Sequence, residues 1–405
     1  MSTIEKIVED IEIEKLKNIY IQYKDIYDIV SKYIIRKKLL LYGGLTINLL
    51  LPQKYKFYKD YTLNDYDCYS KTAMEDSIEL AHILKSKGYK YVKVRLAKHK
   101  ETYRVYVNNK QVMDITKIDN ILYKKLYDYS NKELPIHKYY NESYKIIPTT
   151  MIKRNFHYEL SRPEQSSYRW VKIYNRMKLF NEVYKNKKSK IIAHCVPIDK
   201  EYQILTKKLL NYIKSNDYPI IDSYALKFYL KTKKTCCYRT SESSTVLVIL
   251  SDNYEKTKNE VISQIEIILD MNKYEIVINH NDNDIYILPS KYDISILNKN
   301  NNKIFKILDI ILTKNECFSM QKISGYTVGS IDTILYFLYC NYILNDIYNK
   351  NTDEILYIIN TYEEYINNVL KSNIKKRLKS TCYGNINNED EFKVNWKKRL
   401  TIKYV

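Results

Sequence analysis

Glycine is almost absent from this chain of 405 residues, and two of its six glycines stand side by side at positions 43 and 44. Ordinary usage is roughly 7%, so a chain this sparing keeps an adjacent pair where bare backbone is needed. The pair follows the apolar run Lys38-Leu39-Leu40-Leu41-Tyr42 and precedes a helical stretch, Leu45 to Leu51, that stops at Pro52. The order is strand, glycine turn, helix. At such a turn the backbone approaches a ligand closely, and the first amides of the helix point at an anion.

The surrounding pattern alternates helix and strand. Residues 1–36 read as a helix, with Leu16, Ile19, Tyr23, Ile26 and Val30 at steps of three and four. After the glycine turn, Tyr66-Asp67-Cys68-Tyr69 reads as a strand, and residues 71–87 as an amphipathic helix closed by Gly88. Two alternating strands follow, Tyr91 to Leu96 and Tyr103 to Val107, the second joined through Asn108-Asn109 to Val112-Met113-Asp114-Ile115. From about 120 to 215 the pattern predicts mostly helix, broken by prolines 135, 148, 163 and 197. A second mixed segment repeats the element order: helix 221–230, apolar strand 245–250, helix 254–270, and strands near 274–277 and 285–288. The tail from 320 onward is expected to be helical.

Asp65 and Asp67 lie two apart, so on a strand both carboxylates leave the same face. Like charges that close call for a counter-ion, and oxygen ligands of this kind suit Mg²⁺ or Mn²⁺. Asp114 is a third carboxylate, set in an apolar strand where a lone charge is costly. Its simplest partner is the same metal.

The formal net charge of +20 points to a polyanionic partner, nucleic acid rather than membrane. No apolar run is long enough to span a bilayer, and acids from Glu5 onward argue against a cleavable signal. Seven scattered cysteines without CxxC spacing predict reduced thiols in an intracellular compartment. Six dispersed histidines offer no zinc spacing. Of the arginines, 154, 162, 169 and 176 lie within 23 residues, three of them in the stretch from Tyr158-Glu159-Leu160-Ser161-Arg162-Pro163 to Arg176-Met177-Lys178-Leu179. Their planar forks suit phosphates and bases.

The ordered set of Gly43-Gly44, Asp65-x-Asp67 and strand Asp114 resembles the polymerase-beta-type nucleotidyltransferase superfamily. It is most similar to the poly(A) polymerase catalytic subunits of large DNA viruses, mimivirus-like and poxvirus-like. The arginine stretch resembles the segment after the catalytic domain of the mimivirus-like enzymes. The resemblance implies an α+β fold: a nucleotidyltransferase domain of mixed sheet with flanking helices, a second, degenerate nucleotidyltransferase-like α/β domain, and helical segments. Its expected division is a helical segment 1–36, catalytic domain 37–150, helical linker region 151–215, degenerate domain 216–315 and helical region 316–405.

The implied activity is template-independent addition of AMP from ATP to RNA 3′ ends by a two-metal mechanism. Asp65, Asp67 and Asp114 would be the catalytic metal ligands for Mg²⁺ or Mn²⁺. Gly43, Gly44, Thr46, Arg169, Lys172 and Arg176 would contact nucleotide. The implied partners are the RNA 3′ end, ATP and a second copy in a homodimer, without membrane, in the cytoplasm, viral factory or virion of an infected cell. Two other readings stay open: a nucleotidyltransferase acting on a protein or small molecule, and a non-catalytic RNA-binding processivity module. In the second α/β segment no glycine turn precedes the Asp282-x-Asp284 pair, so a second active site is not expected.

Overall fold

The computed structural model describes residues 3–59, 61–97, 101–132, 137–139, 142–187, 200–230, 247–281, 290–370, 374–385 and 401–404. In chain order the first elements are α1 (Thr3–Arg36), β1 (Leu40–Tyr42), α2 (Gly43–Leu50), β2 (Tyr66–Ser70), α3 (Ala73–Ser86), β3 (Val92–Leu96), β4 (Thr102–Val107), β5 (Lys110–Lys117), α4 (Asn120–Lys132), β6 (His137–Tyr139) and β7 (Glu142–Ile146). Four helices follow: α5 (Thr149–Leu160), α6 (Pro163–Ser166), α7 (Trp170–Val183) and α8 (Lys200–Ser215). Then come β8 (Ile220–Ile221), α9 (Asp222–Leu230), β9 (Leu247–Ser251), α10 (Tyr254–Ile268), β10 (Tyr274–Asn281), β11 (Lys291–Asn298) and β12 (Lys303–Leu312). The rest comprises β13 (Phe318–Ile323), β14 (Tyr326–Gly329), α11 (Ile331–Ile347), α12 (Asp353–Tyr365), α13 (Ile374–Arg377), β15 (Cys382–Tyr383) and β16 (Thr401–Tyr404).

Two compact units result. The first holds residues 1–152, 178–184 and 389–405, the second 153–177 and 185–388, so the chain crosses between them within α5 and within α7. Among the described residues each has one eight-stranded mixed sheet.

The first sheet runs β16-β3-β4-β5-β2-β1-β7-β6. Val92, Val94, Val105 and Val107 are buried on one face, against which α3 packs. Their sequence neighbours Lys93, Arg95, Arg104 and Tyr106 are exposed or half-exposed on the other, the period-two signature of a sheet covered on one side. The turn from β4 to β5 is made by Asn108 and Asn109, both with positive φ (49° and 64°), which suits the twist of a two-residue hairpin.

The second sheet runs β10-β11-β12-β9-β8-β14-β13-β15. From β10 to β13 it repeats the order of the first sheet from β3 to β6, with β15 and β16 added at opposite edges. β8 pairs antiparallel with β9 as β1 does with β2, β9 pairs parallel with β12 as β2 does with β5, and β14 pairs parallel with β8 as β7 does with β1. The repeated element order in the sequence is thus a repeated topology. Behind it lies α11, buried around nearly its whole circumference and capped by the Ser330 hydroxyl accepting from the Thr333 amide.

Three expectations are corrected. The stretch from 120 to 215 is mostly helical as expected, but it also holds the strands β6 and β7, and β7 joins β1 in parallel (Leu40 opposite Lys145), a pairing no local pattern reveals. The tail from 320, and with it the helical region 316–405, carries strands. β13 and β14 form a hairpin through Ser324 and Gly325, both at positive φ, and residues 382–383 and 401–404 add edge strands to the second and first sheets. Cysteines 317 and 382 are not reduced thiols but a disulfide, 65 residues apart and brought together by the β13–β15 pairing. Cys68 and Cys340 are buried free thiols. The expected strand at 285–288 lies outside the described residues.

Candidate active site

β1 ends at Tyr42, and Gly43 turns the chain into α2 with φ +78°, a conformation side chains with a Cβ rarely adopt. Tyr42 is opposite Asp67 on β2, and Asp67 is opposite Asp114 on β5. Opposite residues share a face, so the turn and two of the three aspartates meet at one place on the sheet. The approach is extreme at Gly43, where a Cβ would lie 2.1 Å from Oδ2 of Asp67. No side chain caps the N-terminus of α2, which leaves its first amides free of a side-chain acceptor.

Asp65, exposed, stands just before β2. Asp114 is buried, and burial, with the Asp65 charge adding to it, pushes its carboxyl up to about 6 against the pull of Arg104. Arg104, directly across on β4, donates from Nε to Asp114 Oδ2 at 3.1 Å, and Gln111 Nε2 donates to Oδ1 at 2.9 Å. Sequence reasoning missed both. The alternation of Arg104 with buried Val105 was the signal available for the first.

The donor set is hard oxygen and partly desolvated, which fits a divalent cation such as Mg²⁺. Among the described residues, the group of three acid, histidine or cysteine side chains whose ligand atoms lie within 4.8 Å of one another is Glu164 with Cys317 and Cys382, not the three aspartates. To ligate a cation alongside Asp65 and Asp67, Asp114 would exchange Arg104 and Gln111 for it.

Thr46 is fully buried in α2, and its hydroxyl has no hydrogen-bond partner among the described residues. Arg169, Lys172 and Arg176 belong to the second unit. Arg169 pairs with Glu159 at 3.3 Å. Arg154 and Arg162 are buried in that unit: Arg154 lies over the rings of Tyr158 and Tyr336 at 4.8 and 4.9 Å, and Arg162 over Tyr158 at 3.5 Å, with Glu159 and Glu316 as ion partners. These two arginines are core cations, not open phosphate contacts.

The matching register in the second unit reads differently. Asp222, at φ +67°, stands where Gly43 stands, following Ile221, which is opposite Val248. Val248 therefore takes the place of Asp67, with Val246 two residues before it in sequence where the first unit has Asp65. Asp309, opposite Val248, keeps the third position, but Lys291 and Lys306 bind it at 3.2 and 3.0 Å and share Asp293. Val248 thus stands in the register of Asp67, and two lysines balance the acids that remain.

The first unit sets a glycine turn beside strand aspartates, and the second repeats its topology with Asp309 in the third of those positions. Residues 28–166 match the family model of the poly(A) polymerase catalytic subunit. A protein of Acanthamoeba polyphaga mimivirus assigned as such a subunit is 34% identical over 116 residues, 27% of this chain and 20% of that protein. Its counterpart in African swine fever virus (isolate Tick/Malawi/Lil 20-1/1983) is 39% identical over 90 residues, 22% of this chain and 19% of the viral protein. The matched segment thus spans about a fifth of these relatives' length. The crystal structure of the Megavirus polyadenylate synthase superposes with a TM-score of 0.79 at 17% identity, covering 99% of this chain and 84% of that one, so the fold is shared along nearly the whole chain.

Proposed function

We propose that this chain is a template-independent polynucleotide adenylyltransferase, extending RNA 3′ ends with AMP from ATP. The observation that carries the reading is the contact between the Gly43 turn and Asp67, in register with Asp114. Asp65, Asp67 and Asp114 would hold Mg²⁺, which when bound stabilises charge on the attacking and leaving oxygens of the phosphoryl transfer. The uncapped first turn of α2 offers backbone amides to the triphosphate, and Gly43 keeps that turn clear of a Cβ so that phosphate and Asp67 fit side by side. Arg104 and Gln111 hold Asp114 until the cation takes their place. The acids of the second unit do not take part.

Arg169, Lys172 and Arg176 remain in the proposal as contacts to nucleotide or RNA, and a homodimer as its assembly. Among the described residues no helix is long and apolar enough to cross a membrane.

The test is incubation of the purified chain with an oligo(A) primer, Mg²⁺ and each single NTP, read on a gel. Extension with ATP alone, lost with chelator and in Asp65→Ala, Asp67→Ala and Asp114→Ala, is the expected result. Full activity in Asp67→Ala would remove the metal assignment. Transfer to protein or to a small molecule, with no primer extension, would favour a different nucleotidyltransferase.

A further inference from the structure

Three side chains of the second unit converge away from the aspartates. Cys317 stands just before β13, Cys382 on β15 and Glu164 in α6, and their ligand atoms lie within 4.8 Å of one another. Oε1 of Glu164 is 3.7 Å from Sγ of Cys382. In the oxidised chain that contact is idle, because a disulfide sulfur carries no hydrogen for the carboxylate to accept. Backbone hydrogen bonds independent of the crosslink hold the three elements together. The Ser319 amide donates to the Ser161 carbonyl at 2.7 Å, tying β13 to the turn before α6, and the Met320 amide donates to the Thr381 carbonyl at 2.8 Å, tying β13 to the start of β15. Opening the S–S bond therefore leaves two sulfurs and a carboxylate in place. Cys317 is buried, Cys382 half-buried and Glu164 exposed, so the cluster runs from the interior to solvent.

We infer that this cluster is a metal site of different chemistry from the aspartates: in the reduced chain Cys317, Cys382 and Glu164 bind a zinc ion, with water in the fourth position. The inference goes beyond the polyadenylation reading and does not rest on it. A small thiol or phosphine supplies two electrons that break the S–S bond, ending as its own disulfide or phosphine oxide, and two protons leave both cysteines as thiols. Zinc then displaces both thiol protons to solvent. Thiolates select zinc over the magnesium that an all-oxygen set takes. Tetrahedral zinc, with Zn–S of about 2.3 Å and Zn–O of about 2.0 Å, sets a sulfur and an oxygen ligand about 3.5 Å apart. Cys382 and Glu164 already stand close to that separation. The ion keeps residues 374–385 pinned when the disulfide is open, and with them buried Arg377 in its bond to Asp332.

The test uses the full chain, reduced with a phosphine and titrated with Co²⁺, whose bond to thiolate gives a near-ultraviolet charge-transfer band that oxygen ligands do not. The band should appear in the reduced wild type, be absent from the oxidised chain and bleach when zinc is added. Cys236→Ser with Cys237→Ser, which removes the adjacent cysteines, should keep it, and Cys317→Ser should lose most of it. Glu164→Gln, an exposed change that spares both thiolates, should keep a band but raise the cobalt concentration at half-saturation by at least about tenfold, since even the outer partners of a ligand are worth that much. This variant keeps the test decisive if the serine variant fails to fold. No band in the reduced wild type, a band that depends on Cys236 and Cys237 or survives Cys317→Ser undiminished, or an unchanged half-saturation in Glu164→Gln would each overturn the inference.

Discussion

Gly43 and Asp67 occupy nearly one space: a Cβ on the glycine would sit 2.1 Å from the aspartate Oδ2. Gly43→Ala must therefore displace Asp67 and also strain a backbone at φ +78°, at a cost of roughly 1–2 kcal/mol. Primer extension should fall by about 100-fold, the effect of misplacing a reacting group by an ångström. Retained extension in Gly43→Ala would show that the close approach is incidental. Circular dichroism on the same sample separates lost geometry from lost fold.

A second prediction concerns a buried ion pair in the second unit. Arg377 donates to Asp332 from Nη2 at 2.7 Å and from Nε at 2.9 Å, and His157 Nδ1 is 2.8 Å from the same carboxylate. Burial alone would push the Asp332 carboxyl up, but Arg377 and His157 outweigh it and hold it well below the usual range. A depressed carboxylate stabilises the fold above its unfolded value, about 3.9, and that stabilisation is lost as pH falls toward the folded value. Arg377→Ala leaves a buried charge short of its main partner, at a cost of roughly 3–5 kcal/mol. Thermal melts at pH 7 should drop by several degrees. An unchanged melt would mean the pair is energetically neutral.

The Cys317–Cys382 bond closes a loop of 65 residues onto β13. Such a crosslink contributes about 2–4 kcal/mol. Cys317→Ser and Cys382→Ser should each lower the melting temperature to the value wild type shows under strong reductant, and the double variant should add nothing. Three different values would show that the serines act by some other route.

Asp282→Ala with Asp284→Ala should leave extension intact. Both positions lie outside the described residues, but the strand register puts Val248 at the position that Asp67 holds in the first unit. Loss of activity in this double variant, with an unchanged melt, would return a catalytic role to the second unit.

Much of the first sheet was legible because its signals are local. Glycine scarcity marks Gly43, alternation marks β3 and β4, and the Asn108-Asn109 pair marks their hairpin with β5. What escaped depends on partners far away in sequence. Glu142–Ile146 is a strand because β1 offers it an edge, and Arg154 and Arg162 are core residues because Tyr336 and Glu316 come to meet them. A run of arginines shows charge, not what it is paired with. The two cysteines gave no spacing signal, since strand pairing alone makes them neighbours.

The pairing of residues 401–404 with β3 also sets the order in which the molecule can be finished. Every other strand of the first sheet lies before residue 147, so a ribosome has released nearly all of that layer long before its last strand emerges. Until then β3 presents a row of unpaired amides and carbonyls, an edge on which nascent chains can associate. The translation of most of the second unit falls between the making of β3 and the arrival of the strand that covers its edge.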